Sequence, residues 1–155
     1  MATADPNSLD RPLRECVAAH QEGSELLFGT KARLISELRD MATECADDDW
    51  DGYGAQAVSE AARLRAEAFI RALPEGMAAP EIAPEADGQI SFDWLPSRTK
   101  TFSLSIDAGN RLACAWIDGA NRGHGAEVFE GNVLPIRLLE ELLRLTRDGS
   151  AHRTA

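Results

Sequence analysis

The sequence predicts an α+β domain: N-terminal helices, a three- to four-stranded antiparallel meander and a C-terminal helix, with the helices packed on one face of the sheet. Three observations carry this. Apolar residues recur at helical spacing before residue 74, alternate with polar or small ones between 89 and 116, and return to helical spacing after 134. With 155 residues, 44% of them hydrophobic, the chain can bury the core of one domain without a staple. The expected organisation is a disordered start over residues 1–8, a single α+β domain over 9–147 and a polar tail over 148–155.

Leu9, Leu13, Cys16 and Val17 offer a short helical stripe ending near Gly23, and Leu26-Leu27-Phe28 forms a small apolar plug. The first strong helix is expected over Lys31–Ala46. Its apolar residues Leu34, Ile35, Leu38, Met41, Ala42 and Cys45 fall on one stripe. Thr30 is the expected N-cap. The run Asp47-Asp48-Asp49 ends the pattern; acidic groups oppose the macrodipole there, so this helix end must fray or be held by other contacts.

A second helix is expected over Glu60–Leu73, capped by Ser59 and closed by Pro74, with Leu64, Ala68, Phe69, Ala72 and Leu73 facing inward. Pro74–Pro84 reads as an extended crossing with no element of its own. Ile90, Phe92 and Trp94, then Phe102, Leu104 and Ile106, then Leu112, Cys114 and Trp116 alternate with polar or small residues. That is the period of strands covered on one side. A weaker fourth strand covers Ala126–Phe129. Ala108-Gly109-Asn110 and Asp118-Gly119 supply turns. The last helix runs from about Leu134 to Arg147, with Pro135 in its first turn and Ile136, Leu139, Leu142 and Leu143 inward.

Charge narrows the function classes. The chain carries 26 acidic and 16 basic residues, a formal net charge of -10. No basic residue lies between Arg39 and Arg63 or between Arg71 and Arg98, while both stretches are acidic. Such a surface repels nucleic acid and anionic membranes and attracts cations or a basic protein partner; the plainer reading is a solvated acidic face that aids solubility. Cys16, Cys45 and Cys114 form no C-x-x-C pair, which argues against a disulfide framework and a zinc site. With no signal-peptide pattern and no membrane-length apolar run, a cytoplasmic location is expected. No cofactor is expected, and oligomeric state is left open.

The sharpest local feature is Asp47-Asp48-Asp49-Trp50-Asp51-Gly52. Asp47, Asp49, Asp51 and Gly52 match positions 1, 3, 5 and 6 of a helix–loop–helix calcium loop. The match fails at position 12, which falls on Val58, and at position 8, which is Gly54. An acidic turn is the plainer reading. Cys114 with His124 is the one nucleophile–base idea; Cys114 shares a face with Leu112 and Trp116, which predicts an inert thiol, and His124 between two glycines belongs in a turn. No dinucleotide, P-loop or nucleophile-elbow motif is present, and no catalytic residue is assigned.

The hexapeptide Trp50-Asp51-Gly52-Tyr53-Gly54-Ala55 resembles a turn carried between two helices by a family of small uncharacterised bacterial proteins. There a Pro-rich crossing and a strand meander follow, as Pro80-Glu81-Ile82 and Ile90 to Trp94 do here, and the likeness spans about residues 31–147. The resemblance implies fold order and a bacterial source and brings no activity with it. Trp50 and Tyr53 either plug the core or form an exposed partner anchor, with Asp51 between them.

The sequence reading is therefore a non-catalytic protein-interaction domain: an acidic inhibitor, antitoxin-like or chaperone-like partner of another protein, with Trp50, Asp51 and Tyr53 as candidate contact residues. The alternatives are a small metal-dependent hydrolase built on Asp47–Asp51 and a degenerate calcium-binding module.

Overall fold

A computed structural model of the protein describes residues 29–147. The expected disordered start, the stripe over Leu9–Val17, the Leu26-Leu27-Phe28 plug and the polar tail lie outside the described residues. By its internal contacts the chain divides between Arg33 and Leu34, within the first described helix.

That helix, α1, is described over residues 29–44 and already includes Thr30. Thr30 is therefore not an N-cap, because a hydroxyl caps only from a residue whose own backbone lies outside the helix. The inward stripe is as expected: Leu34, Leu38, Ala42 and Cys45 are buried, with Ile35 and Met41 packed against them. The charge-opposed end of α1 is held from outside, since Val58 N–H donates to the Cys45 carbonyl at 2.9 Å.

Helix α2 spans Glu60–Ala72. Ser59 caps it as the sequence predicts, its hydroxyl accepting from Ala62 N–H at 3.1 Å. Of the residues expected inward, Phe69 and Leu73 are buried and Ala68 and Ala72 pack against the core, but Leu64 does not. Ala62, Ala66, Phe69, Ile70 and Leu73 are buried, whereas Leu64 is 53% exposed. Two residues along a helix is about 200° of rotation, so Leu64 cannot share a face with Ala62 and Ala66. The small alanines were the core signal, and Leu64 was the decoy.

Five antiparallel strands follow in the order of the chain: β1 Glu81–Pro84, β2 Ile90–Ser97, β3 Lys100–Ile106, β4 Arg111–Asp118 and β5 Asn121–Val128. This is one strand more than the upper expectation. Glu81–Pro84, assigned to an extended crossing, pairs with β2 from Glu81↔Asp93 to Pro84↔Ile90. Proline is compatible with that position because β1 is an edge. The weak fourth strand of the sequence begins five residues early, at Asn121, and ends at Val128 rather than Phe129. Its alternation was hidden because the inward positions Gly123 and Gly125 have no side chain to read.

Helix α3, Ile136–Arg147, closes the domain. Leu138, Leu142 and Leu145 are its buried stripe, with Leu139 packed against the core, while Ile136 is 71% exposed. The true stripe continues the spacing set by buried Leu134 just before the helix. Arg144 and Arg147 sit in the last turn, where they complement the dipole.

The helices cover one face of the sheet. Phe69 of α2 meets Phe92 at 4.9 Å, Trp94 at 6.4 Å and Phe129 at 6.2 Å between ring centroids, and Trp94 meets Phe102 at 5.9 Å. Edge and tilted contacts of this kind add about 0.5–1.5 kcal/mol per pair beyond area burial. The Trp94 indole N–H donates to the Ala78 carbonyl at 2.9 Å, so the crossing between α2 and β1 satisfies the one polar atom of the largest core side chain. No helix among the described residues is long and apolar enough to cross a membrane.

Candidate functional site

The segment between α1 and α2 reverses the chain within a few residues, and its own sequence supplies the means. Gly52 and Gly54 have φ of +76° and +88°, and Asp49 has φ of +62°. This left-handed region is open to Gly and tolerated by Asp. The aspartates then bind the backbone they bend. Asp51 Oδ1 accepts from Tyr53 N–H at 2.8 Å and Ala55 N–H at 3.1 Å. Asp49 Oδ1 accepts from Gly54 N–H at 2.7 Å, and Asp48 Oδ1 from Ala57 N–H at 2.8 Å. Asp49 N–H closes the loop onto the Ala55 carbonyl at 2.7 Å.

Three consequences follow. The Tyr53 and Ala55 amides hold the Asp51 carboxyl below the usual aspartate range, because both stabilise the charged form. The loop is pinned along its length, so what it carries is presented in one geometry. The carboxylates of Asp48, Asp49 and Asp51 each point an oxygen at main-chain N–H groups rather than converging on a common centre. Among the described residues no group of three or more His, Cys, Asp or Glu side chains is placed to hold a metal ion.

The aromatic pair is divided. Trp50 is half-buried against the core, and its indole N–H donates to the Gln56 carbonyl at 2.9 Å. Tyr53 is 94% exposed at the tip. Of the two sequence alternatives, Trp50 takes the structural one and Tyr53 the projecting one. The alternation of the loop decides this: Trp50 follows the end of α1 toward the core, and the Gly52 reversal turns Tyr53 away.

The structure also joins what the sequence separates. Gln56 N–H donates to the Ala86 carbonyl at 2.8 Å. Gly88 lies so close that a Cβ there would stand 2.9 Å from the Ala57 carbonyl oxygen. The β1–β2 turn, with Glu85 and Asp87, is thus docked on the loop that holds Asp48, Asp49 and Asp51. Parts of the two basic-free segments, residues 56–57 and 86–88, therefore meet. Sequence reasoning missed this pairing, because no local pattern links residue 56 to residue 86. The Asx turn of Asp51 with Tyr53 did have a signal, an Asp two residues before an amide in a Gly-rich turn.

Cys114 and His124 are not brought together. Cys114 pairs with Gly125 and His124 with Ala115, so their side chains leave opposite faces of the sheet. His124 sits within β5 rather than in a turn, which corrects the sequence expectation. Burial pushes the Cys114 thiol up from its ordinary value, as an inert cysteine requires. A groove of about 320 Å³ runs between β5 and α3, with Cys114, Trp116 and Leu138 among its lining. On the face that no described helix covers, Asp93 accepts from the Ser91 and Ser103 hydroxyls and Glu85 from Ser105, which ties these acids to the sheet.

Compared with known proteins, the chain matches no protein-family model, no curated protein and no solved structure.

Proposed function

We propose that this chain is a non-catalytic protein-interaction domain whose acidic loop face, anchored by Tyr53, engages a basic protein partner. The observation that supports this reading is the Gln56–Ala86 hydrogen bond, which docks the Glu85–Asp87 turn on the same loop that carries Asp48, Asp49, Asp51 and the exposed Tyr53. Tyr offers a large amphipathic contact at low entropic cost, and a pinned loop lowers that cost further. The surrounding carboxylates steer a basic partner and disfavour an acidic one. An inhibitor, an antitoxin-like protein or a chaperone of another bacterial protein would each use such a face to cover basic surface. The Asp47–Asp51 cluster lends less to a small metal-dependent hydrolase or a degenerate calcium-binding module, because Asp48, Asp49 and Asp51 each turn one oxygen to backbone N–H groups and no three acids converge among the described residues.

The test is capture by the tagged protein from lysate of its native host, at low and high salt, read by mass spectrometry. The expected result is one dominant basic protein, released as salt rises and absent with Tyr53→Ala. Capture of nothing, or of a protein indifferent to both salt and Tyr53→Ala, would set the reading aside.

A further inference from the structure

The two edges of the sheet are defended unequally. Edge β1 is four residues long, begins with Glu81 and ends with Pro84, which has no N–H to offer. A short, charged, proline-bearing edge resists pairing with another strand. Edge β5 has eight residues, no proline, and an unbroken register with β4 from Asn121↔Asp118 to Val128↔Arg111. Its main-chain groups can be phased from one bond: Phe129 N–H donates to the Asn110 carbonyl at 2.7 Å. Inward and outward groups alternate in an antiparallel pair, so the N–H and C=O of Arg122, His124, Ala126 and Val128 point away from β4. Among the described residues no other strand pairs with them.

We propose that β5 docks against β5 of a second copy of this chain, antiparallel about a two-fold axis at Ala126, merging two five-stranded sheets into one. The register follows from three constraints. Outward-bonding residues must face outward-bonding residues, since a one-residue slip would exchange the two faces. An isologous contact must pair i with j and j with i. Charge then selects among the remaining registers. With Ala126 on the axis, His124 lies opposite Val128 of the partner subunit and Arg122 opposite Glu130 of the partner subunit. Symmetry makes that ion pair twice. Glu130 lies just beyond the strand: Phe129 is buried, its carbonyl accepting from Arg65, and Glu130 is exposed, with Asn110 Nδ2 donating to it at 3.4 Å. Moving the axis to Gly125 would set Arg122 against an uncharged valine.

Two further features suit a like-charged copy. Within a chain of net charge -10, β5 carries one arginine and one glutamate, so this edge lacks the repulsion of the acidic loop face. On the helical side, Gly125 presents no side chain and a groove opens beside it toward α3, while the Trp116 ring lies over Gly123. The contact is β-strand addition, with main-chain bonds supplying attraction and Arg122 with Glu130 supplying register.

Sedimentation equilibrium of the full chain over a concentration series tests this. The expected species is a reversible dimer of twice the 16.8 kDa chain mass. Ala126→Pro removes an N–H that points away from β4, so it should leave the circular dichroism of the monomer unchanged and abolish the dimer. Arg122→Glu and Glu130→Arg should each weaken dimerisation by roughly tenfold, since each disrupts two ion pairs, and together they should restore it. The charge exchange decides the matter if the proline variant fails to fold. A chain that stays monomeric at every concentration, or a dimer indifferent to the proline and to the charge exchange, overturns the proposal.

Discussion

Glu67 of α2 accepts two hydrogen bonds from Arg39 of α1, at 2.7 Å from Nε and 3.2 Å from Nη2, with its side chain only 3% exposed. Arg63 and Arg71, one turn to either side on α2, reach the same carboxylate at 2.6 and 3.3 Å. A charge placed this deep is tolerated when its lone pairs are filled, and here three guanidinium groups fill them. The Arg39 hydrogen bonds hold the Glu67 carboxyl below the usual glutamate range, against the opposing effect of burial. One carboxylate thereby ties the first helix to the second.

Glu67→Gln is expected to destabilise the protein by about 2 kcal/mol at neutral pH, because a neutral amide cannot accept from three cations. Since the folded-state affinity of Glu67 for a proton is depressed, its contribution is complete above the ordinary glutamate range. It is lost as pH falls through the lower folded value. Urea midpoints for both proteins against pH should therefore converge on acidification; a constant gap would show that the charge is not what matters.

Asp51 makes a second acid-range prediction of a local kind. The Tyr53 and Ala55 amides both donate to its Oδ1, so their NMR resonances should titrate together. The shared midpoint should lie below that of an ordinary aspartate, and the loop should loosen only as pH falls through it. Separate midpoints, or one above the ordinary value, would mean that the carboxylate does not pin this turn.

The glycines of β5 differ in kind although they are two residues apart. A Cβ at Gly123 would stand 2.2 Å from the Trp116 ring, whereas one at Gly125 would meet Cys114 Sγ at an ordinary 3.7 Å. Gly123→Ala should cost roughly 1–3 kcal/mol, as overpacking does, and Gly125→Ala less than about 0.5 kcal/mol. Thermal or urea unfolding of the two variants distinguishes them. Adding Trp116→Ala should recover part of the Gly123→Ala loss; no recovery would place the clash elsewhere.

Cys114 should label slowly. Its half-buried thiol is pushed up by burial, so little thiolate is present near neutral pH. Iodoacetamide should modify it much more slowly in the native protein than in urea, with mass spectrometry after proteolysis reading the site. Equal rates would show an accessible, activated cysteine.

The α+β class and the order of elements were legible because each rests on a period. Phe92, Leu104 and Leu112 alternate with small or polar neighbours, and Leu34, Leu38 and Ala42 recur at helical spacing; a solvent-facing side and a core-facing side write such periods directly into a chain. The Ser59 cap was legible for a similar reason, being an interaction over three residues. The extra strand β1 and the start of β5 were not. Pro80–Pro84 and Gly123–Gly125 mark turns by composition, and only pairing with β2 and β4 makes strands of them.

At the candidate site, Trp50, Asp51 and Tyr53 are singled out by the resemblance that the Trp50–Ala55 hexapeptide carries and by the weight of aromatic residues as contact anchors. Which of the two aromatics turns inward depends on φ at Gly52 and on the core that receives Trp50. The sequence by itself determined the periodic elements, the acidic balance and the turn chemistry of residues 47–55, all of which arise from neighbours along the chain. Only the tertiary structure decided that Gln56 meets Ala86, that Glu67 collects three arginines and that Cys114 and His124 face apart. Those relationships join residues up to 30 positions distant, and contacts at that range are selected by packing of whole elements, which leaves no local pattern to read.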